Sequence, residues 1–226
     1  MIDFKWYHFC KDIILMAVRW YVAYALSYRD IEELMRERGV PVDHATIQRW
    51  VIKFAPLLST AFKKRKASTD GSWRMDETYI KIKGQWYYQY RAVDKHGLTI
   101  DFMLSKHRNE AAAKRFFRKA IRSNGQPTTV TIDKSGANTA ALKTINKTLA
   151  KVNKIKVRRT KYLNNIIEQD HRFIKKITKP MKGFKSFNSA RATLAGIELH
   201  HMLRKRQYLG KKTCATVWEQ FYDLAA

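Results

Sequence analysis

At 226 residues with 45% apolar composition, the chain can bury one good core plus a small appendage, which excludes a disordered or fibrous protein. Its formal charge of +26 attracts polyanions and makes nucleic acid the natural partner, with merely solubilising charge as the bland alternative. Two cysteines, Cys10 and Cys214, form neither a disulfide framework nor a metal motif, and no run has transmembrane length or a signal-peptide pattern, so no membrane partner and a cytoplasmic, nucleoid-associated location are expected.

In chain order, Lys11 to Leu26 repeats apolar residues at three and four positions, the period of a core helix. Ser27 and Asp30 have the spacing of a capping box and open a second helix that runs to Arg38, and Gly39 ends it. Asp43 caps a third helix over residues 44–54, with Ile47, Val51 and Phe54 facing inward and His44, Thr46, Gln48, Arg49 and Lys53 outward. Three short helices in this order fit a helix-turn-helix module as well as any small trihelical bundle. The charge, and the base-reading types Gln48 and Arg49, favour the module, with those five outward residues as candidate DNA contacts. Pro56 either ends the third helix or is followed by one or two further turns. The basic cluster Lys63 to Lys66 and the polar stretch to Ser72 read as an exposed link.

Beyond residue 70 the period changes to that of strands. Residues 73–82 and 85–93 flank Lys83-Gly84 as a hairpin, and Leu98 to Leu104 forms a third strand. A helix from Asn109 to Ile121 follows, then a strand ending at Asp133, a helix over 138–150, a short strand near 155–157, the helix 165–178 and a last helix from about Ser186 to Arg204. This order predicts an α/β fold, a ribonuclease-H-like mixed sheet flanked by helices, preceded by the all-α helix-turn-helix domain. The domains expected are residues 1–70 with the basic linker, 71–210 as the catalytic domain, and a C-terminal tail over 211–226. Net charge is uneven: +4 over residues 1–70, +7 over 71–135 and +15 over 136–226.

Three acids stand apart from the rest. Asp76 lies in mid-strand on the face of Thr78 and Ile80, opposite Met75, Glu77 and Tyr79. Asp133 ends its strand, where open α/β sheets present catalytic groups. Glu168 shares a helix face with His171 or Arg172 and with Lys175. Phosphodiester cleavage needs an activated oxygen nucleophile and stabilisation of phosphoryl charge, and two Mg²⁺ or Mn²⁺ ions ~4 Å apart on carboxylate oxygens meet both needs. No Cys or His cluster suits zinc, and no phosphate loop or serine nucleophile motif is present. Any chain with 19 acidic residues contains many such triples, so spacing alone leaves the assignment open. Glu77 reads as a salt-bridge or hydrogen-bond partner, Asp94 as a turn former, and Trp86, Tyr87, Tyr88 and Tyr90 as strand packing or a base-stacking platform.

Trp73 to Tyr79, Asp133-Lys134-Ser135-Gly136-Ala137-Asn138 and above all Lys161 to Lys175 carry a resemblance. So do Leu26 to Leu34, Gly183-Phe184-Lys185-Ser186-Phe187 and Leu194 to Glu198. From about Tyr7 to Ala225 the chain resembles the short bacterial transposases of the insertion sequence 6 family, in the DDE class of transposases and integrases. The resemblance implies that Asp76, Asp133 and Glu168 are the catalytic and metal-binding acids, with 34 residues between the last two. It implies binding to terminal inverted repeats of double-stranded DNA, hydrolysis at the 3′ ends and joining of those ends to target DNA, commonly as a replicative cointegrate. The complex on DNA would be a homo-oligomer, at least a dimer. Lys175 matches the basic residue this class keeps after its glutamate, to hold a terminal phosphate or base. His171 and Arg172 would orient Glu168 or substrate, with an ordinary hydrogen bond and a surface ion pair as their plain alternatives. Positions 45 and 48 depart from the commoner Glu and Tyr. A helix-turn-helix regulator without catalysis is the competing function.

Overall fold

The computed structural model describes residues 2–5, 7–133, 135–160, 165–210 and 216–226. It divides into two compact units, one formed by Met1–Ala67 with Ile174–Ala226 and the other by Ser68–Phe173.

In the first unit, α1 (Lys11–Ala23), α2 (Tyr28–Arg36) and α3 (His44–Lys63) follow the expected order. The capping box of α2 is complete: Asp30 N donates to Ser27 Oγ at 3.1 Å and Ser27 N to Asp30 Oδ2 at 2.7 Å. Asp43 accepts from the backbone of Ala45 and Thr46, both at 2.9 Å, and so caps α3. Helix α3 runs nine residues past the expected end at residue 54, with Pro56 inside it. Apolar Phe54, Ala55, Leu58 and Phe62 continue its buried stripe, and that burial outweighs the lost backbone hydrogen bond. The last part of α6 (Asn165–Thr178), α7 (Phe187–Arg204) and α8 (Val217–Asp223) complete the unit. Helix α7 is buried nearly all round, the mark of a central helix, and it packs on α3 and α1. Behind it, Ala67 N donates to Gln207 O at 2.9 Å and Leu209 N to Arg65 O at 2.8 Å, tying the chain after α7 to the end of α3.

The second unit is a five-stranded mixed sheet in the order β3 (Thr99–Ser105), β2 (Gln85–Asp94), β1 (Ser72–Ile82), β4 (Thr129–Ile132), β5 (Lys156–Arg159). Strands β1, β2 and β3 are antiparallel neighbours, and β4 and β5 run parallel to β1. Ile82 pairs with Gln85 across a two-residue turn; Lys83 and Gly84 both take positive φ, 48° and 78°, as a turn matched to strand twist requires. One face of the sheet carries Trp73, Met75, Tyr90, Ala92, Val130 and Ile132, which pack with Phe116, Phe117 and Ala120 of α4 (Glu110–Asn124) and Leu142 and Ile145 of α5 (Gly136–Lys147). The opposite face carries Asp76 and its cross-strand partner Arg91, and the start of α6 lies over it. The chain is thus a ribonuclease-H-like mixed sheet flanked by helices, preceded by a helical N-terminal region.

Candidate active site

Strand pairing sets the first two acids. Arg74 of β1 is in register with Thr131 of β4, and two residues further on along each chain stand Asp76 and Asp133. Adjacent strands lie about 4.8 Å apart, and a shift of two residues keeps the face, so the register brings both aspartates to the same side of the sheet, just past the end of the β1–β4 ladder. Asp133 follows the last residue of β4, where the ladder stops and its carboxylate is open. The Asp76 and Asp133 side chains are 21% and 38% exposed.

A second layer of polar groups holds this end of the sheet. Glu77, on the opposite face from Asp76, accepts from Arg108 Nη2 at 3.2 Å and from Asn138 Nδ2 at 3.0 Å. Burial pushes its carboxyl above the ordinary range although Asn138 and Arg108 oppose that shift. The same Arg108 nitrogen is 3.5 Å from Asp133 Oδ2, and Ser135 N donates to Asp133 Oδ1 at 2.9 Å. Glu77 therefore has the salt-bridge role expected from strand alternation. Asp94 is a turn former, accepting from the backbone of His96 and Leu98, both at 2.9 Å.

On the Asp76 face, α6 is anchored by ionic contacts. Arg91 Nη2 donates to Asp170 Oδ2 at 2.7 Å and Arg91 Nη1 to His171 Nδ1 at 3.2 Å, while His171 Nε2 is 3.4 Å from Asp76 Oδ2. Glu168 stands in the first turn of the same helix and is exposed, as are Arg172 and Lys175. Lys175 follows Glu168 by two turns, about 10 Å along the helix. Among the described residues, no three His, Cys, Asp or Glu side chains converge closely enough to hold a metal ion. The donor chemistry of Asp76, Asp133 and Glu168 nevertheless suits a hard divalent cation, being all carboxylate oxygen, and the two aspartates are open to solvent. Sequence reasoning missed Arg91, Arg108, Asp170 and Asn138. Asp170 and Asn138 had a signal, since both lie in the motifs that carry the resemblance; Arg91 and Arg108 had none.

The outward residues of α3 are held in different ways. His44 Nδ1 contacts Glu32 Oε2 at 2.8 Å, and that hydrogen bond keeps the Glu32 carboxyl below its usual range. Thr46 Oγ1 donates to Asp43 Oδ2 at 2.6 Å and accepts from Arg49 Nη2 at 2.7 Å. Lys53 Nζ lies 4.7 Å from the centre of the Tyr7 ring. Gln48 is half-buried and Arg49 exposed. Of the aromatic strand residues, Tyr90 packs on Phe116 at 5.8 Å between ring centres, whereas Trp86 is exposed against Tyr79.

A family model described as a DDE domain matches residues 70–207. The transposase for insertion sequence-like element IS431mec of Staphylococcus aureus is 44% identical over 206 residues, covering 90% of this chain and 89% of that protein. The transposase for insertion sequence element IS257 in transposon Tn4003, also of Staphylococcus aureus, shows the same identity and coverage. A weak likeness extends to the HTLV-2 integrase catalytic core domain in complex with magnesium, at 16% identity and TM-score 0.47 over 69% of this chain and 99% of that one. With its catalytic-region match and relatives alike over nine-tenths of its length, the chain belongs to the insertion sequence 6 family of DDE transposases, enzymes of polynucleotidyl transfer.

Proposed function

We propose that this transposase binds the terminal inverted repeats of its element through the α2–α3 module, hydrolyses the 3′ ends and joins them to target DNA at Asp76, Asp133 and Glu168. The observation that carries this reading is the parallel register of β1 and β4, which brings two carboxylates to one face of the sheet just past the end of the β1–β4 ladder. Asp76, Asp133 and Glu168 would hold two Mg²⁺ or Mn²⁺ ions, which when bound supply charge neutralisation at the scissile phosphate and activation of the attacking oxygen. Arg108 keeps positive charge beside Asp133 without sitting on it alone, since Glu77 shares the same nitrogen. His171 orients the Asp76 carboxylate from the helix side. Lys175, two turns beyond Glu168, holds DNA next to the scissile phosphate, and Arg172, exposed on that helix, adds a backbone contact. At the other site, Gln48 and Arg49 read base edges, and His44, Thr46 and Lys53 position the backbone. Both element ends are joined to one target DNA, so the working form on DNA is a homo-oligomer, at least a dimer.

The test uses one labelled inverted-repeat DNA and two assays, gel shift against competitor and Mg²⁺-dependent joining to plasmid. Asp76→Asn removes a negative ligand at constant size and should bind ends at least as tightly as the parent while failing to join them. Arg49→Ala should weaken specific binding by roughly 1–3 kcal/mol, the value of one base contact. Joining by Asp76→Asn at the parent's rate would refute the carboxylate mechanism. Absence of joining by the parent itself, with end binding intact, would favour the regulator without catalysis.

A further inference from the structure

Arg91 sits in the middle of β2 with its side chain fully out of water. Apolar residues of similar volume commonly stabilise a fold as well as a buried ion pair does, so stability alone gives no reason for a guanidinium here. The direction of its donors does. Arg91 and Asp76 are partners in the β1–β2 register and share a face. One nitrogen donates to Asp170 and the other to His171 Nδ1, and both acceptors lie on α6 two and three residues after Glu168. A guanidinium has donors and no acceptor. His171 Nδ1 must therefore accept, which leaves the ring proton of the neutral imidazole on Nε2, the nitrogen 3.4 Å from Asp76 Oδ2. The other tautomer would turn a lone pair toward the carboxylate and a proton toward a cation, opposing both contacts at once.

We propose that Arg91 is a positioning residue for the carboxylate site: it pins the α6 turns next to Glu168 onto the sheet and fixes His171 in the tautomer that turns its Nε2 proton toward Asp76. It acts through Asp170 and His171, the two side chains of α6 to which it donates. The proposal rests on the carboxylate reading above for its catalytic meaning, while its structural content stands in the protein without metal or DNA.

Full-length protein labelled with ¹⁵N-histidine is observed by NMR without metal at about pH 8, above the ordinary imidazole range. His171 is identified by the signals lost in His171→Gln. The parent should show the Nε2–H pattern at His171; an Nδ1–H pattern overturns the proposal. Arg91→Lys keeps the charge but has no rigid fork to serve two acceptors. At unchanged circular dichroism it should lose the single tautomer and join ends at least about tenfold more slowly, with the Mn²⁺ needed for half-maximal joining raised by a similar factor. Joining at the parent rate with unchanged Mn²⁺ dependence overturns it. Should Arg91→Lys fail to fold, Asp170→Asn takes its place under the same two criteria. Asp76→Asn serves as the control that separates the two readings. If Asp76→Asn joins at the parent rate, the carboxylate reading falls and takes the catalytic meaning of Arg91 with it. If Asp76→Asn fails to join while Arg91→Lys joins normally, only the present proposal falls.

Discussion

His200 of α7 is 4% exposed, and burial, with Arg19 and Arg204 nearby, lowers its pKa from 6.5 to about 4. Above the higher of these values the imidazole is neutral whether the chain is folded or not, and its contribution to stability is fully present. As pH falls through 6.5 the unfolded chain takes up a proton that the folded one refuses, so stability drains away until about pH 4. The loss is on the order of 3 kcal/mol over that window. Urea unfolding from pH 7 to pH 4 should therefore show a steeper decline for the parent than for His200→Gln; parallel curves would exclude His200 as the cause. At this same scale, much of the candidate site was legible. Strand parity separated Asp76 from Glu77, and the end of a β-branched run located Asp133. Arg91 was invisible, because in a half-polar strand its burial is decided by α6, whose Asp170 and His171 lie 79 and 80 residues further along.

Helices α1, α3 and α7 meet so closely at Gly196 that a Cβ there would lie 2.6 Å from Val22 Cγ1 and 2.9 Å from the Ala55 Cβ. In an exposed helix, replacing glycine by alanine gains about 1 kcal/mol. Here the added methyl has no room, and overpacking costs about 1–3 kcal/mol, so Gly196→Ala should lower the melting temperature. Val22→Ala made in the same chain should recover part of the loss, because it clears the nearer contact and leaves Ala55. Additive losses in the double variant would contradict this packing. The sequence showed α7 as a helix but not where it belongs. A helix apolar all round has no face from which to read a partner, and its place after α6 pointed to the sheet. The extension of α3 past Pro56 was half legible: Leu58 and Phe62 keep the period, but only the helix packed against them makes the proline tolerable.

At the scale of the whole molecule, the first unit is built from the two ends of the chain, with residues 68–173 between them. Helix α7 contributes Leu194, Ile197, Leu199 and Leu203 to that unit's core, all at most 2% exposed. A fragment of residues 1–67 would leave the matching faces of α1 and α3 in water, although it holds all three helices of the module. It should therefore show weak helicity and no cooperative melting by circular dichroism, and should bind inverted-repeat DNA without specificity. The same fragment mixed with a peptide of residues 174–226 should regain helix. A cooperative transition in the fragment alone would show that the three helices suffice.

This arrangement orders events during synthesis. A ribosome delivers α1 to α3 first and α7 more than a hundred residues later, so the nascent chain cannot assemble its first unit until the sheet has emerged. A message cut short within residues 68–173 would then yield a product that neither joins ends nor occupies them. Incomplete copies of the gene would be silent bystanders to the intact transposase rather than competitors for its DNA.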